Sequence, residues 1–275
     1  MSKTICIYHG NCADGFTSAW VVRRALGADV EFHAGVYQEP PPDVVGKDVV
    51  LVDFSYKRAV LETIIGQAAS VTILDHHKTA QADLEGLVGA TTVFDMERAG
   101  CKITWDYYFP NELPPRLLYH IEDRDLWRFA LPKTREIQAN VFSYPYDFAV
   151  WDTLMEADVQ TLAKEGEAIE RKHFKDIAEL TGVVTRPMRI GGFDVLVANL
   201  PYTLTSDAGH KLAEGRAFGA CYWDTPNGRV FSLRSTNEGA DVSEIAKQFG
   251  GGGHRNASGF RVTFEQATAF ELEQP

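Results

Sequence analysis

The chain has little that would tie it to a membrane, an oxidising compartment or a long polyanion. Nowhere in its 275 residues is there an apolar run long enough to span a bilayer. The start, Met1-Ser2-Lys3-Thr4-Ile5-Cys6-Ile7-Tyr8, passes directly into a strand pattern without the apolar stretch of a secretory signal. A cytoplasmic protein is the expectation. Cysteine is scarce: Cys6, Cys12, Cys101 and Cys221 show neither metal-finger nor redox spacing, so reduced, buried thiols are expected. Basic residues are outnumbered, 27 Lys and Arg against 38 Asp and Glu, for a net charge of −11. That balance argues against non-specific coating of long nucleic acid. Short phosphorylated substrates stay open, because a few Arg, His or bound cations reverse the sign inside a cleft. There is also no low-complexity tract and no internal repeat.

What is present reads as two domains. Residues 5–8 form an apolar strand ending at His9, and residues 16–26 a helix. Residues 30–36 alternate like a second strand. Residues 49–52 form a continuous apolar strand ending at Asp53, 57–69 an amphipathic helix, and 70–74 the next strand, ending at Asp75. Apolar strands alternating with helices predict an α/β layer with a mostly parallel sheet. Residues 114–125 read as a helix with Pro at its start and a polar end, Glu122-Asp123-Arg124-Asp125; Trp127 and Phe129 follow as candidate walls of a site. Trp105, Tyr107 and Tyr108 read as the packing face of a helix. Residues 158–180 form a long charged helix suited to bridging two domains. After Gly182 the pattern changes to a smaller α+β domain. It has strands at 193–198, 218–223 and 230–233, a helix at 205–214, and a hairpin turn at Pro226-Asn227-Gly228. A last helix, 241–249, runs into Gly250-Gly251-Gly252-Gly253-His254.

The placement of the polar residues carries the chemistry. His9, Asp53 and Asp75-His76 each close an apolar strand, and in open α/β sheets the carboxyl ends of the strands line the ligand crevice. Carboxylate and imidazole projecting together there suit a divalent transition metal. The glycine run closed by His254 is of the kind that lets backbone N–H groups approach a phosphate. A metal site with an anion cradle points to chemistry on phosphate esters.

The triplet Asp75-His76-His77, with His9, Asp14-Gly15, Asp53 and the downstream Gly-Gly-Gly-His, resembles the DHH phosphoesterase family. The likeness covers nearly the whole chain in the family's motif order and points to its oligoribonuclease and single-strand exonuclease branch. It implies a catalytic DHH domain over residues 1–150, a helical linker over 151–185 and a DHH-associated, substrate-binding domain over 186–275. Family members include oligoribonucleases, nucleoside-bisphosphate phosphatases, cyclic-dinucleotide phosphodiesterases and inorganic pyrophosphatases, and most use manganese. On this resemblance Asp53 would bridge two metal ions and His76 would ligate one. His77 would face the substrate phosphate, and Asp75 would orient its neighbours or touch the metal. A further motif contributes an Asp, for which Asp123 and Asp125 are candidates and Asp125 the favoured one. Arg234, Gly251, Gly252, Gly253 and His254 would contact substrate phosphate or ribose. The first motif departs from the family: His9-Gly10-Asn11-Cys12-Ala13-Asp14-Gly15 offers only His9 and Asp14 where relatives carry more ligands.

The expectation is a Mn2+-dependent phosphohydrolase holding one or two divalent ions, with Mg2+ or Co2+ as alternatives. Its substrate would be a nucleotide or short single-stranded oligonucleotide, with no membrane partner and with a homodimer open. Two divalent ions roughly 3.5–4 Å apart can clamp a phosphoryl oxygen and lower the pKa of a bridging water, so no Ser or Cys nucleophile is needed. The other reading is a catalytically weakened, nucleotide-binding regulatory protein. Lys78 and Arg98 read equally as phosphate contacts and as surface cations, whereas His33, His120, His173 and His210 read as structural or solvated.

Overall fold

A computed structural model describes residues 3–272, in two compact units divided between Glu170 and Arg171. The first unit opens with β1 (Thr4–His9), α1 (Ala13–Leu26), β2 (Glu31–Gly35), β3 (Asp48–Val52), α2 (Arg58–Gln67) and β4 (Ser70–Asp75). It continues with α3 (Lys78–Asp83), β5 (Thr91–Phe94), α4 (Gly100–Tyr108), α5 (Arg116–Asp125), α6 (Thr134–Val141) and α7 (Phe148–Glu156). The helix α8 (Val159–Val184) carries the chain from one unit into the other.

The five strands are all parallel in the order β2-β1-β3-β4-β5. Because side chains alternate along a strand, each strand feeds two cores. Ile5, Ile7, Val49, Leu51, Val71 and Ile73 pack on one face with Leu61 and Ile64 of α2. Cys6, Val50, Val52 and Leu74 pack on the other with Ala19 and Val22 of α1 and Ile103 of α4. This is the α/β class expected from the apolar runs. A third core gathers the helices: Phe16 and Trp20 of α1 meet Trp105 of α4, Leu117 and Ile121 of α5 and Trp151 of α7. Trp151, at the start of the segment expected to link the domains, is wholly buried there. Of the three α4 aromatics expected to pack, Trp105 and Tyr108 do so, while Tyr107 is 43% exposed.

The second unit holds β6 (Thr185–Ile190), β7 (Phe193–Asn199), α9 (Thr205–Ala213), β8 (Gly219–Thr225) and β9 (Gly228–Arg234). After these come α10 (Val242–Lys247), β10 (Gly252–His254), β11 (Ala257–Val262) and α11 (Phe264–Thr268). They form a six-stranded sheet in the order β10-β11-β9-β8-β7-β6, antiparallel except for β7 beside β8. The expected hairpin lies between β8 and β9, with Thr225 paired to Gly228 across Pro226-Asn227 and Gly228 at φ 126°. The glycine run is not a free loop: Gly252, Gly253 and His254 are the edge strand β10, paired with β11. Their lack of side chains has a packing cause. A Cβ on Gly251 would collide with the carbonyl oxygen of Gly259, and one on Gly253 would lie 2.6 Å from that of Ala257.

Cys6, Cys101 and Cys221 are buried free thiols and Cys12 is half-buried. No helix among the described residues is long and apolar enough to cross a membrane.

Candidate metal centre

The sheet order creates the site. From β1 the chain goes to β2 on one side, while β3 and β4 lie on the other, so the loops after β1 and β3 diverge. A crevice opens at such a reversal, outside the carboxyl ends of the strands. His9 is the last residue of β1, Asp53 directly follows β3, and Asp75 is the last residue of β4. Adjacent strands therefore set the three side by side, with His76 and His77 one and two residues further on.

Asp53 is the hub. Its φ of 52° lies in the left-handed region, which Asp tolerates better than most residues, and its N–H donates to the Leu74 carbonyl at 2.9 Å. Only 1% exposed, it places Oδ1 3.1 Å from His76 Nε2 and Oδ2 3.4 Å from His9 Nδ1. His76 Nε2 is also 3.6 Å from Asp14 Oδ2 and 3.5 Å from Asp125 Oδ2. Two groups result whose ligand atoms all lie within 4.8 Å of one another: His9, Asp53 and His77, and Asp14, Asp53 and His76. Asp53 belongs to both.

The donor set fits a divalent cation. Among the described residues Asp53 Oδ2 is buried and makes no hydrogen bond, and the same holds for Asp75 Oδ2. A buried carboxylate oxygen left so is costly unless a cation or donor meets it. The protonation pattern agrees. Burial, the largest influence on His76, disfavours its charged form, but the hydrogen bond to Asp53 and the charges of Asp125, Asp53 and Asp14 outweigh it and raise its pKa to about 10. Burial likewise opposes, and Asp53 drives, a raised pKa at His9. Asp53 is held well below the carboxylate range: burial pushes it up, and the His76 and His9 contacts more than offset that. Asp14 is pushed well above that range by burial first and then by the charges of Asp53 and Asp125. Asp125 is raised by burial and Asp53 against the pull of His76. Two buried carboxylates, Asp14 and Asp53, and the partly buried Asp125 thus surround one imidazole, a concentration of negative charge that a divalent cation would offset.

The chain aims these groups through further contacts. Asp14, in the first turn of α1, accepts from Gly100 N at 2.7 Å and Cys101 N at 2.8 Å, the first two residues of α4. Asp75 Oδ1 accepts from the backbone of His76 (2.8 Å) and His77 (3.2 Å) and lies 2.7 Å from His77 Nδ1. With Nδ1 so engaged, His77 would meet metal or phosphate through Nε2. Asp75 Oδ1 is thus placed to steady the His77 ring. The Cys12 thiol is held protonated, its pKa raised by burial and by Asp53, Asp125 and Asp14.

The two candidate acids of α5 separate cleanly. Asp125 reaches the cluster. Asp123 is buried elsewhere and accepts from Ala130 N (2.8 Å), Leu131 N (3.1 Å) and Thr134 Oγ1 (2.6 Å), with His120 Nδ1 2.8 Å from that same hydroxyl. Asp123 therefore ties the loop after α5 to α6. Asp123→Ala should lower unfolding free energy by about 2 kcal/mol, because Ala130 N, Leu131 N and Thr134 Oγ1 lose their shared acceptor. Asp125→Ala should instead keep the melting temperature and cost about 10²-fold in metal-stimulated turnover, the few kcal/mol of a ligand at 1.36 kcal/mol per tenfold. Thermal melts and metal content of both variants check this, and the reverse pattern would exchange the two roles.

In the second unit, Arg234 and His254 share a cross-strand row: His254 pairs with Ala257, and Ala257 with Arg234. Residues directly opposite one another project from the same face, so the sheet presents both side by side, about 10 Å apart across two strand spacings. The Arg234 fork is braced by Ser232 Oγ, the Leu233 carbonyl and Ser206 Oγ, each at 2.9 Å. Arg98, by contrast, is committed to Asp95 and Asp106, both at 2.7 Å. Tyr37 and Gly100 went unnoticed in the sequence. Tyr37 packs 5.4 Å from His9, 6.0 Å from His77 and 4.9 Å from Phe54, ring to ring, and a lone Tyr after a strand carries no spacing signal.

A parallel sheet, a second mixed-sheet unit and a His/Asp cluster at the strand ends are the arrangement that the resemblance to the DHH phosphoesterases implies, so the likeness extends from motifs to fold and to the gathering of the ligands. No protein-family profile matches the chain. It is 35% identical over 280 aligned positions to "Uncharacterized protein R106" of Acanthamoeba polyphaga mimivirus, covering 93% of this chain and 66% of that one, just short of two thirds of its length. Among solved structures it is similar to a "pGpG-specific phosphodiesterase", PggH, from Vibrio cholerae, with TM-score 0.43, 13% identity and 98% and 95% of the two chains covered. An exopolyphosphatase-related protein from Bacteroides fragilis gives 0.44 and 14%, with 97% and 89% covered. An uncharacterized protein from Helicobacter pylori G27 gives 0.40 and 14%, with 95% and 94% covered. The chemistry of the site rests on the chain's own side chains.

Proposed function

We propose that this chain is a divalent-metal-dependent phosphoesterase of the DHH kind, hydrolysing short oligonucleotides or small nucleotides. The observation that supports it most is Asp53, shared between two overlapping ligand groups. A carboxylate in that position suits a pair of cations better than one. His9, Asp14, Asp53, His76 and Asp125 would hold them, and carboxylate with imidazole favours manganese over a thiolate-type zinc site. When bound, such ions supply charge neutralisation at the phosphoryl oxygens and a lowered pKa for water. His77, whose Nδ1 is engaged by Asp75, leaves Nε2 to face the ions or the substrate. Arg234 and His254 supply an anion-binding pair on their own sheet, and the braced guanidinium fork matches phosphate geometry. A net charge of −11 keeps long nucleic acid away and limits the substrate to something small.

The test is hydrolysis with added manganese over a panel: short RNA and DNA oligomers, a nucleoside 3′,5′-bisphosphate, cyclic and linear dinucleotides, and pyrophosphate. Cleavage of the oligonucleotide or small-nucleotide members is expected, stopped by chelator and restored by manganese. Tight nucleotide binding without hydrolysis of any member would favour the regulatory reading.

A further inference from the structure

The two ligand groups that share Asp53 have different surroundings. The group of Asp14, Asp53 and His76 has Asp125 beside it, so carboxylates wall it. The group of His9, Asp53 and His77 is walled by aromatic rings. Tyr37 meets His9 and His77 at ring-centre distances of 5.4 and 6.0 Å, with the planes inclined at 63° and 75°. Phe54, next to Asp53 in the chain, lies 4.9 Å from the Tyr37 ring and 6.3 Å from that of His9. Phe54 is wholly buried, whereas Tyr37 is 43% exposed. Tyr37 is therefore the outer ring of the wall, with nearly half of its surface open beside a ligand group.

The chain fixes this ring in place. Glu39 N donates to the Val36 carbonyl at 3.1 Å and closes a four-residue turn with Tyr37 and Gln38 at its centre. Gln38 has φ 71°, the positive value that the third position of a type II turn requires. Pro40-Pro41-Pro42 follow, each with φ locked by its own ring, so the turn leads into a stiff arm. On the other side of Tyr37, Gly35 admits Phe54: a Cβ there would lie 2.8 Å from the nearest Phe54 ring atom. The Gly35 carbonyl also accepts from Gly10 N at 2.9 Å, which ties this loop to the residue after His9. Among the described residues the Tyr37 hydroxyl makes no hydrogen bond, so ring packing is what the fold has built here.

A phosphate ester has an anionic end, which imidazole, carboxylate and bound cations address, and an organic end, which needs an apolar surface. An aromatic face supplies that surface to any base. His77, whose Nε2 is left to face the ions or the substrate, is the direct neighbour of the Tyr37 ring. We propose that Tyr37 is a specificity residue, whose ring stacks on the nucleobase of the nucleotide held by its phosphate at the metal centre. The proposal rests on the phosphoesterase reading and narrows its substrates to nucleoside phosphates, against pyrophosphate and other phosphates that carry no base.

Calorimetric titration of the full chain with manganese tests it, using AMP and ribose 5-phosphate. Each is supplied as the phosphonate in which CH2 replaces the ester oxygen, so that no turnover interferes. The second ligand keeps the sugar and the anion and lacks only the base. The wild-type chain should bind the AMP analogue about tenfold more tightly than the ribose analogue, the equivalent of one stacked base. Tyr37→Ala should erase that difference by weakening the AMP analogue alone, and Tyr37→Phe, which keeps the ring, should preserve it. Thermal melts show whether the variants are folded; if Tyr37→Ala is not, Tyr37→Leu, apolar but without a flat face, should show the same loss. Equal weakening of both ligands in Tyr37→Ala means that Tyr37 only shapes the metal centre and overturns the proposal. So does loss of the difference in Tyr37→Phe, or its absence in the wild type. If the difference depends on the ring while no member of the hydrolysis panel is cleaved, the enzyme reading falls and the base contact stands. If the panel is cleaved and the wild type binds both analogues equally, the reverse holds.

Discussion

Asp53→Asn should abolish metal-stimulated hydrolysis, by about 10³-fold or more, and leave the chain folded. The expected size follows from the loss of a carboxylate that serves both ligand groups, several kcal/mol of charge stabilisation at 1.36 kcal/mol per tenfold. The choice of Asn matters, because residue 53 has φ 52° and Asn, like Asp, visits the left-handed region readily. Asp53→Ala would lose the same activity and, in addition, about 1–2 kcal/mol of stability from placing Ala in that conformation. The pair of variants therefore separates ligation from backbone. Turnover with manganese, bound metal after dialysis and thermal melts are the measurements. If Asp53→Asn retained both metal and turnover, the shared-ligand site would be wrong, whatever the substrate.

The sequence made this hub readable for a simple physical reason. A strand buried on both faces must be continuously apolar, so the first polar residue after it stands out, and in a parallel sheet all such residues gather at one edge. His9, Asp53 and Asp75 were legible on that ground alone. The choice between Asp123 and Asp125 was not. Both sit at one helix end, and only the fold shows the Asp123 carboxylate facing Ala130, Leu131 and Thr134 while Asp125 reaches His76. The strand in the glycine run was not legible either. Glycine has no strand propensity, so β10 exists through pairing with β11 and through contacts too close for any Cβ, neither of which has a local signature. Trp151 likewise sits on a short helix whose docking against Phe16 only the folded chain reveals.

Gly100 is a site residue without a sequence signal, and Gly100→Ala should be strongly damaging. Gly100 opens α4, and its N–H donates to Asp14 Oδ2 at 2.7 Å. A Cβ there would stand 2.5 Å from Asp53 Cβ, 2.9 Å from Asp14 Oδ2 and 3.0 Å from Asp53 Cα. The two Asp53 atoms belong to or adjoin the backbone, and Asp14 Oδ2 is itself held by the N–H of Gly100, so α4 and the loop after β3 must separate. Overpacking of this kind costs about 1–3 kcal/mol, of which the better helix propensity of Ala returns at most about 0.5–1 kcal/mol. The larger consequence is geometric. Asp14 and Asp53 both move, and a displacement of about 1 Å at a reacting centre is enough for a 10²-fold loss. Gly66→Ala is the matched control: it lies in α2, exposed, with nothing within 4 Å of the added Cβ, and should stabilise by about 0.5–1 kcal/mol without touching turnover. Melting curves and manganese-stimulated rates for the two variants decide the matter. Full activity in Gly100→Ala would mean that the close packing of α4 against Asp53 is not what positions the ligands.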